Sequence, residues 1–197
     1  MAGLQLERYG LAALTMKSIA EASNVSTKTL YNLFDSRDSL LLETATERLD
    51  HFAQSGSVLD AEAGIPRLLA YTEGTMRGFD HTPQYARAII SLVLRVELDH
   101  STDHSRLRRV QQMAFTSLCV AAEQGELHPG LDLLEVSYLI AANQWGIALL
   151  WERGLLTLEQ LEAQAILSHY LTLTPLCRGK RKKLMKAKLS ELLTTSP

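Results

Sequence analysis

Residues 15–42 read TMKSIAEASNVSTKTLYNLFDSRDSLLL. Met16 to Ser23 predicts a short helix with Ile19 and Ala20 turned inward. Asn24-Val25-Ser26 ends it, because asparagine tolerates the left-handed conformation that a tight inter-helix turn needs. Ser26 is a good N-cap for a second helix, its hydroxyl placed to accept from an amide one turn on. Leu30, Leu33 and Phe34, at i, i+3 and i+4, are expected to face the core. At about 100° per residue, Lys28 and Asn32 then lie opposite, with Thr29 and Tyr31 on the flanks. A cation, an amide, hydroxyls and an aromatic ring are the groups that read base edges and grip phosphates. The pair is a helix-turn-helix, and the second helix, 27–33, is the reader.

The same residues carry a resemblance. The run SIAEASNVSTKTLYNLF followed by DSRDSLL resembles the DNA-binding segment of the TetR/AcrR family of bacterial transcription regulators. The turn is common to many helix-turn-helix pairs. The combination of Leu30-Tyr31, Phe34, Arg37 and Leu40-Leu41 is more specific. Asn24 stands where the family usually has Gly, and Lys28 where Gly or Ala is frequent. Leu33 stands where His or Tyr is common, and Arg37 replaces a Lys with its charge kept. Residues 15–42 and the resemblance together give Thr15, Ser26, Thr27, Lys28, Thr29, Tyr31, Asn32 and Arg37 as the expected DNA contacts. The resemblance gives Tyr31 a phosphate. It also implies a homodimer on a palindromic operator, a small-molecule effector of unknown identity, and repression relieved by that effector.

The chain has 197 residues, 46% of them hydrophobic and 21% charged, enough to bury a proper core. Gly and Pro are sparse, long Val/Ile/Thr alternations are absent, and apolar residues recur at helical spacing, so the fold class is all-α. Formal net charge is −2, and its distribution is uneven. Residues 1–50 carry five Lys/Arg against seven Asp/Glu, residues 51–174 eight against fourteen, and residues 175–197 seven against one. The reader is only weakly basic, so DNA affinity depends on two heads in a dimer, not on a large positive field. Cys119 and Cys177 have no metal or redox spacing, and no signal peptide is evident, so they read as cytosolic thiols. A cytoplasmic, nucleoid-associated protein follows. The longest apolar stretch, Tyr138 to Trp151, is broken by Asn143-Gln144 and is too short to span a bilayer, so no membrane partner is expected.

Three regions are expected: a DNA-binding head with its connecting helix at 1–54, a helical effector-binding and dimerisation body at 55–174, and a basic extension at 175–197. In the head, Met1 to Arg8 reads as the last two turns of a short first helix, with Leu4 and Leu6 inward and Tyr9-Gly10 as its stop. Asp35 or Ser36 opens the connecting helix, and Ser55-Gly56-Ser57 marks the boundary. Helices follow over about 65–79, 83–98, 107–124, 131–153 and 157–173. The pair 131–153 and 157–173 forms an antiparallel hairpin whose first helix is apolar almost all round, so one face needs a partner. Tyr138, Ala142, Trp145, Ile147, Leu161 and Leu171 are the candidate dimer contacts, as the resemblance also implies. Tyr71, Phe79, Tyr85, Met113 and Phe115, with Met76, are candidates to line an effector pocket.

His100 and His104 stand at i, i+4 beside Asp99 and Asp103, but the segment suits a solvated loop better than a metal site, so no metal or cofactor is expected. No nucleophile–base pair or phosphate-binding glycine loop stands out, and the chain is not read as an enzyme. The tail RGKRKKLMKAKLSELL is expected to be a solvated extension rather than to dock on the body. The rival reading is an all-α ligand-binding or interaction module that has lost DNA binding.

Overall fold

The computed structural model describes residues 15–53, 56–81, 83–95 and 105–195. Its helices are α1 Met16–Ala22, α2 Thr27–Leu33, α3 Arg37–Ala53, α4 Gly56–Leu59, α5 Ile65–His81, α6 Pro83–Arg95, α7 Ser105–Glu123, α8 Leu133–Glu152, α9 Leu158–Leu173 and α10 Gly179–Thr195. A short 3-10 turn covers Thr174–Leu176, and a single β-bridge joins Leu127 to Cys177. The fold is all-α. Leu4, Leu6, Tyr9-Gly10 and the His100/His104 group lie outside the described residues.

The backbone divides into two compact units, residues 1–51 with 77–102, and residues 52–76 with 103–197. In the first, α1 gives Met16, Ile19 and Ala20 to the core, α2 gives Leu30, and α3 gives Leu40, Leu41, Leu42 and Ala45. Tyr85, Ala88 and Leu92 of α6 join the same cluster, one stripe at i, i+3, i+7. Sequence reading placed that helix in the body from residue 55 onward; its apolar stripe packs it with the head instead.

The second unit is built on α8, which packs against α7 on one side and α9 on the other. Asp132 opens α8 by accepting from the amides of Leu134 and Glu135 at 3.1 Å each. Thr157 and Gln160 open α9 with a reciprocal capping box. The core gathers Ile65, Leu68 and Leu69 of α5, Ala114, Leu118 and Ala121 of α7, Ile140 of α8 and Leu173 of α9. At 20 residues α8 runs past the stretch 138–151, and by length and composition alone it could cross a membrane. In this fold it lies between two helices, with Ser137 and Gln144 on its buried face.

The basic extension departs from expectation. It is a 17-residue helix seated on the second unit, with Met185 inside the core cluster. Three backbone and side-chain ties fix its start. The His128 amide donates to Leu176 O at 3.0 Å and the Arg178 amide to Glu126 O at 2.7 Å. Arg178 Nε reaches Gly125 O at 2.7 Å, where Gly125 turns the chain at φ +71°. Composition showed the lysines but not the pinning of residues 176–178 that positions Met185 to bury.

Candidate nucleic-acid interface

Local hydrogen bonds shape the head. Thr15 Oγ1 accepts from the Ser18 amide at 3.1 Å, and Ser18 Oγ accepts from the Thr15 amide at 2.9 Å, closing a capping box on α1. Asn24 takes φ +55°, the left-handed turn that sequence reading assigned to it, and the Val25 amide donates back to Ala20 O at 3.0 Å. Ser26 Oγ accepts from the Thr29 amide at 3.0 Å and starts α2. The Ser26 and Thr29 hydroxyls also lie 2.7 Å apart, so each already has a partner.

The helix then turns its chemistry outward. Lys28, Thr29, Tyr31 and Asn32 are exposed, Tyr31 by 56%, while Thr27 is half-buried. Leu30 is 6% exposed and Leu33 is 67% exposed. The expectation that Leu33 faces the core is therefore corrected. The chain leaves the helix at Phe34 (φ −136°, ψ 127°), whose half-buried ring packs against the head cluster. Phe34 fills the place one turn beyond Leu30, and Leu33 is left on the reading surface. Sequence reasoning missed Leu33 and Val25 as exposed apolar groups there. The signal was available: the related segments carry His or Tyr at the position of Leu33.

Arg37 stands at the start of α3 and its guanidinium is engaged by Asp38, with Nε and Nη2 each 2.8 Å from Oδ1. Lys17 lies 4.0 Å from Glu21 on the outer face of α1. Both cations sit beside acids, so the surface has modest positive charge and a phosphate must compete for Arg37. Taken together, the exposed groups on α2 are a lysine, an amide, a phenol, a hydroxyl and a leucine. They suit base edges, phosphates and a thymine methyl.

In the second unit the expected pocket and dimer residues separate. Tyr71 is buried, Met113 is half-buried against the core cluster, and Phe115 is exposed on the other side of α7. Tyr85 belongs to the head cluster, and Phe79 is half-buried in the same unit as Tyr85. Tyr138, Ala142 and Leu171 are exposed, and Trp145 and Ile147 half-buried. Leu161 is fully buried in its own unit with Ala165 one turn on, so it does not reach the outer face. The exposed stripe on α8 is instead Leu134, Tyr138, Leu139, Ala142, Gly146 and Leu150.

The interior of that unit is polar in places. His169 Nδ1 lies 2.9 Å from Ala165 O and must donate to it; Nε2 then accepts from the Thr72 hydroxyl at 3.2 Å. Burial holds the imidazole's pKa below its ordinary value, in line with that neutral form. Gln111 Nε2 donates to Ser137 Oγ at 2.8 Å. Gln144 Oε1 and Trp145 Nε1 are buried with no hydrogen-bond partner. Burial pushes the Cys177 thiol up to about 11. Among the described residues no cluster of His, Cys, Asp or Glu could hold a metal ion.

Residues 5–44 match the family described as bacterial regulatory proteins, tetR family. No curated protein sequence matches the chain. Among solved structures, it is similar to a TetR transcriptional regulator from Rhodococcus sp. RHA1 (17% identity, 90% of this chain and 94% of that one, TM-score 0.70). It is also similar to SmeT, the repressor of a multidrug efflux pump of Stenotrophomonas maltophilia (17% identity, 91% and 88%, TM-score 0.66). A third is the TetR family protein CprB of Streptomyces coelicolor in complex with its biological operator sequence (20% identity, 99% and 93%, TM-score 0.64). Residues 5–44 thus resemble the tetR family of bacterial regulatory proteins, and the chain as a whole has the fold of the TetR-family regulators it matches.

Proposed function

With a tetR-like head as the premise, we propose that the chain is a ligand-responsive repressor that binds a palindromic operator as a homodimer on the bacterial nucleoid. The observation that carries the reading is the division of α2: Leu30 anchors it in the head core while Lys28, Tyr31 and Asn32 point outward. Lys28 donates to a guanine edge, with Thr27 beside it, and Tyr31 and Arg37 hold phosphates. Thr15 and Ser26 act through the helix starts they cap, and Thr29 through its bonds to Ser26. Support for the dimer is the row of apolar groups along α8 from Leu134 to Leu150, with Leu171 exposed on α9. A second copy of the same hairpin covers it by two-fold symmetry. Repression follows by analogy with SmeT.

The effector reading is supported by the buried Gln144 Oε1 and Trp145 Nε1. An unmade buried hydrogen bond costs about 1–3 kcal/mol, and a small molecule offering one donor and one acceptor would recover it. Of the expected lining in this unit, Tyr71 is buried and Met113 half-buried, which suits an internal pocket, whereas Phe115 faces outward. The test is enrichment of bound sequences from random duplex DNA by the full chain. A two-fold symmetric motif is the expected result. Recovery of no motif, at any salt concentration, would leave the chain as a binding module without an operator.

A further inference from the structure

The helix α10 is not used by the proposed repressor mechanism, yet it carries the densest charge in the chain. From Arg178 to Lys188 there are seven cations and no acid. Its inner side is fully committed. Met185 is buried, Leu189 and Leu192 are half-buried, and Arg181 bridges Glu126 and Glu62 at 2.8 Å each. Arg181 is thereby taken up by two acids, and its hydrogen bond, with its charge, holds the Glu62 carboxyl below the ordinary value. Lys188 is taken by Glu191 at 2.7 Å. What remains outward is a band of exposed lysines, Lys180, Lys182, Lys183 and Lys186.

We infer that this band is a second, sequence-independent contact for the phosphate backbone of duplex DNA, distinct from the base-reading helix α2. The choice of occupant rests on the DNA-binding reading above and on three features of the band. Lysine is a compact point charge without the planar fork of arginine, so it suits a regular polyanion and demands no register. From Lys180 to Lys186 the helix rises about 9 Å, a length over which duplex DNA presents about five phosphate charges. A membrane surface fits less well, because Met185, Leu189 and Leu192 are turned into the unit and the exposed Leu184 and Leu193, nine residues apart, lie on opposite sides of the helix and make no common apolar face. The rest of the same unit, residues 52–76 and 103–174, carries five cations against eleven acids, so a polyanion is drawn to this helix in preference to the acidic remainder.

The test uses the full chain and the triple variant Lys182→Ala, Lys183→Ala, Lys186→Ala. All three positions are exposed and alanine favours helix, so the fold is kept, and circular dichroism checks it. Each protein is titrated against a random-sequence duplex over a salt series, and against the selected operator. The slope of log affinity against log salt is expected to fall by about 0.9 for each lysine that reaches a phosphate, up to about 2.7 per chain. Operator preference over random duplex should survive. An unchanged slope in the folded variant overturns the inference. So does a loss seen with phosphatidylserine vesicles or polyglutamate as large as that with DNA. Should the variant lose all duplex binding and the wild type show no operator preference, the band is upheld and the reading of α2 fails instead.

Discussion

Two leucines three residues apart on α2 have opposite surroundings, and replacing each by alanine tests the packing of the head. Leu30 is 6% exposed and sits among Met16, Ile19, Ala20 and the leucines of α3; Leu33 is 67% exposed. Truncating a buried leucine costs about 2–5 kcal/mol, the spread set by how far the site collapses. Short helices around Leu30 relax more easily than a large core, which places Leu30→Ala at about 2–4 kcal/mol. A domain of this size has about 5–15 kcal/mol in total, so the loss is a large share. Leu33→Ala removes little buried area and should stay within about 0.5 kcal/mol. Urea midpoints give the two differences, and hydrogen exchange over residues 15–45 locates them: Leu30→Ala should speed exchange throughout α1 and α2. Equal costs for the two variants, or a larger one for Leu33→Ala, would refute the placement of Phe34 beyond the helix end.

At Asn24, with φ +55°, Asn24→Gly should hold or raise the melting temperature while Asn24→Val costs about 1–2 kcal/mol; a valine variant as stable as wild type would contradict the left-handed turn. His169 is buried with a pKa below 6.5, so the unfolded chain takes up its proton first as pH falls. The stabilisation is full above the unfolded value and is lost on acidification below it, so the urea midpoint should drop between pH 7.5 and 5.5. In His169→Gln that share of the drop should vanish, and an identical pH profile would sink the assignment. Leu139→Asp, on the open face of α8, should leave the subunit folded but shift sedimentation from dimer to monomer. A dimer of undiminished strength would place the interface elsewhere.

The two helices of the head, the turn at Asn24 and the cap at Ser26 were legible because each depends on neighbours within four residues. Leu33 was not. Periodicity puts Leu30, Leu33 and Phe34 on one inward stripe of the helix expected at 27–33. Spacing does not say that the extended backbone at Phe34 takes the inward position and leaves Leu33 outside. The same limit explains α6, whose stripe of Tyr85, Ala88 and Leu92 was visible but whose partner was not. Leu161 read as an outer residue because α9 is apolar on several sides, and only packing against α8 decides which side is inner. For α10, the lysine run masked a buried methionine and an arginine whose two carboxylate partners lie 55 and 119 residues away.

The central claim, that α2 reads sequence through Lys28 and grips the backbone through Tyr31, is tested most directly by base preference. Wild type, Lys28→Ala and Tyr31→Phe would be titrated against the selected operator and each of its single-base variants. Lys28→Ala should flatten the preference at one position per half-site, by about 1–3 kcal/mol. Tyr31→Phe should weaken every duplex alike, by about 1 kcal/mol. A preference profile untouched by Lys28→Ala but reshaped by Tyr31→Phe would contradict the account.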